Sequence, residues 1–448
     1  MTTYGQAIAR LVTARRFGVV LGLERMRSLL DALGCPDARL GRVIHVGGTN
    51  GKGSTVAMLS SMLRAAGVRV GSYTSPHLNE LRERIQIDGA PIAYDAFGRY
   101  ADRVVEAGGG ELTFFEQVTA IALCAFADAA LDVTILEVGL GGRLDATNAV
   151  RSDVAVVTGV AMDHEAILGN TLDLIAREKA GIFKPGARIV IGAAGEPAAV
   201  ATLVAVARTV GEPVVVTQPT ALAVALPGDH QRINAATALA ALDAVAAAGG
   251  PIVDEQARAN GLATVVHPGR FEILENRTLA PTGGMPLRIA RAILDGAHNP
   301  HGARHLVMTL RSRGMKPTLI LGVSADKDVR ALVGELVGDV SLVIATRAKN
   351  DRAMPPLELA KLVREVVAER GLDVAVRESG TLLGALYSLD DGAIVRPGAS
   401  VRPAHLDATA GEVVVAGSLF LVGEARELLL GVRSDPANAT DPAARPPT

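Results

Sequence analysis

Lys52 lies within Val46-Gly47-Gly48-Thr49-Asn50-Gly51-Lys52-Gly53-Ser54-Thr55, between a β-like run, Arg42 to Val46, and a helical run from Val56 to Ala66. A glycine-rich turn between strand and helix lets several backbone N–H groups converge. The helix N-terminus adds a positive dipole end, so the stretch suits phosphate oxygens. Lys52 supplies a point charge for β- and γ-phosphates, and Ser54 or Thr55 a hydroxyl for Mg²⁺. The strict phosphate-loop pattern fails twice: Val46 stands where glycine is expected, and Gly53 follows the lysine. The spacing predicts a nucleotide-phosphate loop of a variant type, against the alternative of an ordinary strand–helix turn.

Three more polar residues fall at the carboxyl ends of apolar runs, where open α/β sheets place their ligands. Ser75 follows the run Val68 to Tyr73, ahead of Pro76 and His77. Glu137 ends Val133-Thr134-Ile135-Leu136, and His164 follows the run Asp153 to Val160. A carboxylate at the end of a buried strand needs a partner. Mg²⁺ beside the phosphate loop is one candidate and Arg143 is the other. For Ser75 a plain turn is the competing account.

These residues need a scaffold, and the chain alternates strands with helices throughout. Beyond Leu172–Ile182, units at Arg188–Ile191, Val214–Val216 and Asn234–Ala248 continue the series. The alternation predicts an α/β fold: a phosphate-loop-containing, doubly wound N-terminal domain plus a smaller Rossmann-like C-terminal domain. The stretch Val266-His267-Pro268-Gly269-Arg270 reads as a hinge, and residues 273–291, with their prolines and glycines, as a hairpin or surface excursion. The expected domains are 1–270 and 271–433, followed by a disordered tail, 434–448, rich in Pro, Ala and Asp.

A chain of 448 residues with 49% hydrophobic and 21% charged residues describes large globular cores. A net charge of −2 gives no electrostatic case for nucleic acid or an anionic membrane. The two cysteines, Cys35 and Cys124, fit a reducing compartment rather than a disulfide framework. No apolar run suggests a membrane span or a secretory signal, so a cytoplasmic protein is expected.

The ordered set Gly48–Ser54, Ser75-Pro76-His77-Leu78, Glu137–Asn148 and Asp295-Gly296-Ala297-His298-Asn299-Pro300 resembles folylpolyglutamate synthase and dihydrofolate synthase, of the Mur ligase superfamily. The resemblance runs from about Leu21 to Leu430, and the glycine after the lysine is the form expected of that family. It implies an ATP-dependent ligase that adds L-glutamate to dihydropteroate or a reduced folate, acting as a monomer. Thr49, Asn50, Gly51, Lys52, Gly53 and Ser54 would cradle ATP, with Asn234, Arg270 and Asp295 as further contacts. Arg270 would reach phosphate once the domains close.

By the same resemblance, Ser75 and Glu137 match ligands of one Mg²⁺ and His164 a ligand of a second, with K⁺ a further candidate cation. Lys179 matches a lysine carried as a carbamate; an unmodified surface lysine is the alternative. Gly18, Val19, Val20, Leu21, Phe115, Glu116, Leu144, Asp145 and Ala146 would meet the pterin-bearing substrate. Phe114 and Phe115 could equally be core. His298 and Ser418 would serve glutamate, although Ser418 could also cap a helix. Lys52, Lys179, Arg270 and His298 are thus the expected catalytic set. Two rivals stay open: a cell-wall amino-acid ligase of Mur type, and a nucleotide-dependent switch without ligase chemistry. The Gly-Lys-Gly-Ser loop and the Glu137–Asn148 run argue against the first.

Overall fold

The computed structural model describes residues 2–442 apart from positions 19, 21, 217, 280–285 and 390–408. The chain divides into two compact units. One comprises Met1–His267 and the residues from Ala439 onward; the other is Pro268–Asn438.

The first unit is built on one sheet. Its described strands are β1 (Arg42–Gly47), β2 (Val70–Tyr73), β3 (Ile85–Ile87), β4 (Ala90–Pro91), β5 (Val133–Glu137), β6 (Val154–Val157), β7 (Arg188–Ile191) and β8 (Pro213–Val215). Their spatial order is β4-β3-β2-β5-β1-β6-β7-β8, parallel from β2 to β8, with β3 and β4 antiparallel at the edge. The central strands read as unbroken apolar runs because helices cover both faces. Ile44, Val46, Val154 and Val156 point to a core shared with the helices Lys52–Ala65 and Asp229–Ala247. Val43 and Leu136 point the other way, into a core shared with the helices Tyr4–Ala14 and Phe114–Ala129.

The second unit carries β9 (Glu272–Leu279), β10 (Leu287–Asp295), β11 (Thr318–Leu321), β12 (Leu342–Ala345), β13 (Ala375–Glu378) and β14 (Thr409–Ala416). The order is β13-β12-β11-β14-β10-β9, parallel except for β9. β9 and β10 pair antiparallel, so of the two readings of 273–291 the hairpin holds, its strands reaching to Glu272 and Asp295.

The expectation of a disordered tail from 434 is corrected by the residues that follow 438. Ala439 is fully buried in the first unit's core, and Asp441 pairs through both carboxylate oxygens with the buried guanidinium of Arg84, at 2.7 and 3.2 Å. A reading of local composition could not register this, because the partner lies 357 positions earlier in the chain. Residues 443–448 of the expected tail lie outside the described residues.

Candidate active site

The phosphate loop leaves the carboxyl end of β1, the strand flanked by β5 and β6. The helix Lys52–Ala65 starts at the lysine itself, and Gly51 before it has φ 84°. A Cβ there would stand 2.4 Å from Asn234 Oδ1, so only glycine fits. The loop is tied to the segment after β6: Thr49 N donates to Gly159 O (2.8 Å), Thr49 Oγ1 to Ala161 O (3.1 Å) and Thr158 Oγ1 to Asn50 O (2.7 Å). Ser54 and Thr55 are buried in the first helical turn. Thr55 Oγ1 and Asn234 Oδ1 are buried without a hydrogen-bond partner among the described residues. Such groups cost about 1–3 kcal/mol each, so a bound polar ligand suits this place.

Lys52 Nζ donates to Gly48 O at 3.1 Å and to Thr49 O at 3.3 Å. Lys179, on the helix Leu172–Ala180, donates to the same Gly48 O at 3.1 Å. It is buried, which excludes the surface-lysine reading. Burial and then the charge of Lys52 push its ammonium down to about 7, against the pull of Asp163 and Asp145.

Glu137 is buried at the end of β5, and the backbone N–H of Ser75 donates to its Oε2 at 3.3 Å. Arg143 goes elsewhere, to Glu178 Oε1 at 2.8 and 3.0 Å, so the salt-bridge reading of Glu137 fails. His164 sits in the left-handed region at φ 52°, its N–H donating to Asp163 Oδ1 at 2.9 Å. No group of three or more His, Cys, Asp or Glu among the described residues could hold a metal ion. The carboxylate of Glu137 is the kind of oxygen donor that suits a hard cation whose shell is completed by phosphate oxygens and water.

Of the expected substrate residues, Gly18 has φ 65°, Val20 is exposed, and Val19 and Leu21 lie outside the described residues. The helix that follows, Glu24–Ala32, is fastened to Phe114–Ala129 by an ion pair between Arg25 and Glu116. Glu116 also accepts from Thr113 N and Oγ1, at 2.8 and 2.7 Å, closing a capping box. Phe114 is core, whereas Phe115 is half-buried, 6.0 Å from the Tyr73 ring. Leu144 is half-buried, and Asp145 and Ala146 are buried. Asp145 accepts from Leu140 N (2.8 Å), Thr147 N (3.0 Å) and Thr147 Oγ1 (2.5 Å). That hydroxyl also meets His45 Nε2 at 2.8 Å, deep in β1.

In the second unit the expected residues gather where β10 and β14 end. Asp295 Oδ2 accepts from Phe271 N and Oδ1 from Ala297 N, both at 2.8 Å. Burial raises its carboxyl, while the Arg270 guanidinium pulls it back down. His298 Nδ1 donates to Gly296 O at 2.8 Å. Gly417 N donates to Ala297 O at 3.0 Å, setting Ser418 beside the 296–298 turn. Ser418 does cap a helix, Leu419–Leu430, with Oγ accepting from Phe420 N at 3.2 Å.

Two residues escaped the motif reading. Asp163 acts electrostatically on Lys179, and its signal was its position next to His164. His267, read only as part of a hinge, lies against Gly53.

A mostly parallel sheet with a phosphate loop on its central strand, followed by a smaller α/β unit, has the two-domain Mur ligase fold. Residues 46–205 match the Mur ligase middle domain, and 286–429 the C-terminal domain of dihydrofolate synthetase. The chain belongs to the folylpolyglutamate synthase/dihydrofolate synthase family. It is 39% identical to the Escherichia coli dihydrofolate synthase/folylpolyglutamate synthase over 330 residues, covering 69% of this chain and 73% of that one. It is 35% identical to a probable bifunctional folylpolyglutamate synthase/dihydropteroate synthase of Haloferax volcanii, covering 94% of this chain. It spans about half the length of that relative, 50%. Among solved structures, E. coli FolC in complex with DHPP and ADP superposes with a TM-score of 0.78 at 31% identity, covering 95% of this chain and 97% of that one. A bifunctional folylpolyglutamate synthase/dihydrofolate synthase with Mn, AMPPNP and L-glutamate bound gives 0.75 at 31% identity, covering 92% and 95%.

Proposed function

We propose that this chain is an ATP-dependent ligase that joins L-glutamate to dihydropteroate, and extends the γ-linked tail of a reduced folate as well. The observation that carries the reading is the convergence of Lys52 and Lys179 on Gly48 O, beside the Ser75–Glu137 pair, in a chain of this family. The substrate carboxylate attacks the γ-phosphorus of ATP, giving an acyl phosphate and ADP. The Lys52 ammonium spreads the charge of the transferring group, which is the main work in phosphoryl transfer. The family resemblance assigns Arg270, Asp295 and Asn234 to ATP as well.

Ser75 and Glu137 would hold one Mg²⁺, and His164 with a carbamate of Lys179 a second. When bound, Mg²⁺ supplies Lewis-acid polarisation of phosphate oxygens. K⁺ is a further candidate. Lys179 is suited to carbamate formation because only the neutral amine attacks CO₂, losing a proton as the anion forms. Phe115 offers a ring face for a flat pterin, with Glu116, Asp145 and the 18–21 segment around it. The amine of glutamate, held by His298 and Ser418, attacks the acyl carbon and phosphate leaves. Water must be kept from the acyl phosphate meanwhile. A monomer working in the cytoplasm is our reading for assembly and place.

The test is ADP release by purified protein with dihydropteroate or tetrahydrofolate, with and without L-glutamate. Release that needs both an acceptor and glutamate is expected. Hydrolysis indifferent to both would point to a nucleotide-dependent switch instead.

A further inference from the structure

Ser75 stands between two residues that Arg84 holds. Arg84 O accepts from Thr74 N at 2.9 Å, and Arg84 Nε donates to His77 Nδ1 at 3.0 Å. A guanidinium can only donate, so His77 Nδ1 is the acceptor and the ring proton sits on Nε2. Beyond His77 the loop is closed by Glu83, whose Oε2 accepts from Leu78 N at 3.0 Å and whose Oε1 accepts from Glu80 N at 2.9 Å. Held on both sides, Ser75 directs its N–H at Glu137 Oε2. The Arg84 side chain is itself fully buried, its Cζ 5.5 Å from the Phe114 ring centroid. Asp441 meets both terminal nitrogens, Nη1 to Oδ1 at 3.2 Å and Nη2 to Oδ2 at 2.7 Å. A two-pronged pair of this kind fixes the plane of the guanidinium, and with it the direction of Nε. Ala439 and Thr440 beside Asp441 are buried, and the chain reaches them only after running through the second unit, Pro268–Asn438.

We propose that Asp441 is a positioning residue of the cation site: from the end of the chain it orients Arg84, which holds Thr74 and His77 and so keeps Ser75 in place against Glu137. The inference rests on the reading of Ser75 and Glu137 as ligands of Mg²⁺. It gives the docked terminal segment a task that packing alone does not require. Burial of Ala439 needs no charge beside it, and an apolar pair of similar volume often holds a fold as well as a buried ion pair does. What the ion pair supplies here is direction, because Arg84 must present Nε to His77 and its carbonyl to Thr74 at once.

The test is the affinity of the full chain for Mn²⁺ with AMPPNP saturating, followed by electron paramagnetic resonance at a temperature where circular dichroism shows each variant folded. Urea denaturation of the same proteins runs beside it. Asp441→Asn should bind Mn²⁺ about tenfold more weakly, the lower end of what loss of a ligand's supporting partner costs. Asp441→Glu, which keeps a carboxylate for the two terminal nitrogens, should recover much of the affinity. Asp441→Asn with Arg84→Met should regain part of the stability yet bind Mn²⁺ no better than Asp441→Asn, because the bond to His77 is gone as well. An affinity that rises with the recovered stability would make the pair a purely structural one and overturn the proposal, as would wild-type affinity in Asp441→Asn. Glu137→Gln separates the two readings. Mn²⁺ bound there at full affinity and stoichiometry overturns the cation assignment and this inference with it, whereas weakened binding there with full affinity in Asp441→Asn fails the inference alone.

Discussion

The ammonium groups of Lys52 and Lys179 both donate to the carbonyl oxygen of Gly48, each at 3.1 Å. Two cations on one carbonyl repel, and Lys179 is buried as well. A charge left in that position is expensive. Conversion of Lys179 to an anionic carbamate turns the repulsion into attraction. Protein equilibrated with ¹³C-labelled bicarbonate should therefore show a carbamate carbon by NMR, absent from Lys179→Ala. The signal should weaken as pH falls through about 7, because protonation removes the neutral amine that captures CO₂. Lys179→Ala should lose about 10–100-fold in affinity for the divalent cation. An unchanged spectrum in Lys179→Ala would assign the carbamate elsewhere.

Lys52 hydrogen-bonds only the carbonyls of its own loop among the described residues, so its loss removes chemistry rather than core packing. Lys52→Ala should lower glutamate-dependent ADP release by about 100-fold or more, the scale of losing one preorganised charge at a transition state. Circular dichroism and the melting temperature should stay at wild-type values. Steady-state ADP formation near the wild-type rate would count against the assigned phosphate site.

Arg84 is fully buried; its Nε donates to His77 Nδ1 at 3.0 Å, and Asp441 supplies the carboxylate for the rest of the guanidinium. Asp441→Asn leaves a buried charge unpaired. Removing one partner of such a pair costs about 3–5 kcal/mol when both are buried, and less here because Asp441 is 31% exposed. Urea denaturation should show a loss of about 2–3 kcal/mol. Adding Arg84→Met should recover part of it, and strict additivity of the two changes would deny the pairing.

His45 is held neutral inside β1, its imidazole pushed down to about 3 by burial and then by the nearby Lys184 charge. The unfolded chain takes up a proton below about 6.5 and the folded chain does not until about 3. Stability from this group is thus complete above about 6.5 and falls as pH drops toward 3, by about 1.4 kcal/mol per pH unit. His45→Gln should flatten that part of the pH–stability curve, measured by chemical denaturation at each pH. Equal slopes in the two proteins would place the acid sensitivity on other groups.

Much of the first unit could be read from the chain because its signals are local. A strand, a glycine-rich turn and a helix in succession announce the phosphate loop, and apolar runs ending in Ser75, Glu137 and His164 mark the sheet edge. The structure brings the Ser75 N–H to Glu137 and sends Arg143 to Glu178. Lys179 could be singled out only by resemblance; nothing in Arg177-Glu178-Lys179-Ala180 says that its amine is buried on Gly48. Composition likewise misread the end of the chain, where Ala439 and Asp441 dock on the first unit.

The alternation of strands and helices, the strand, glycine turn and helix over 42–66 and the family resemblance are legible in the chain, because each depends on residues a few positions apart. Which distant residues meet is settled by packing: Asp441 with Arg84, Lys179 with Gly48, and His267 with the space beside Gly53. A buried charge or a missing Cβ is answered by whatever group the packing brings within a few ångströms, and separation along the chain sets no limit on which group that is.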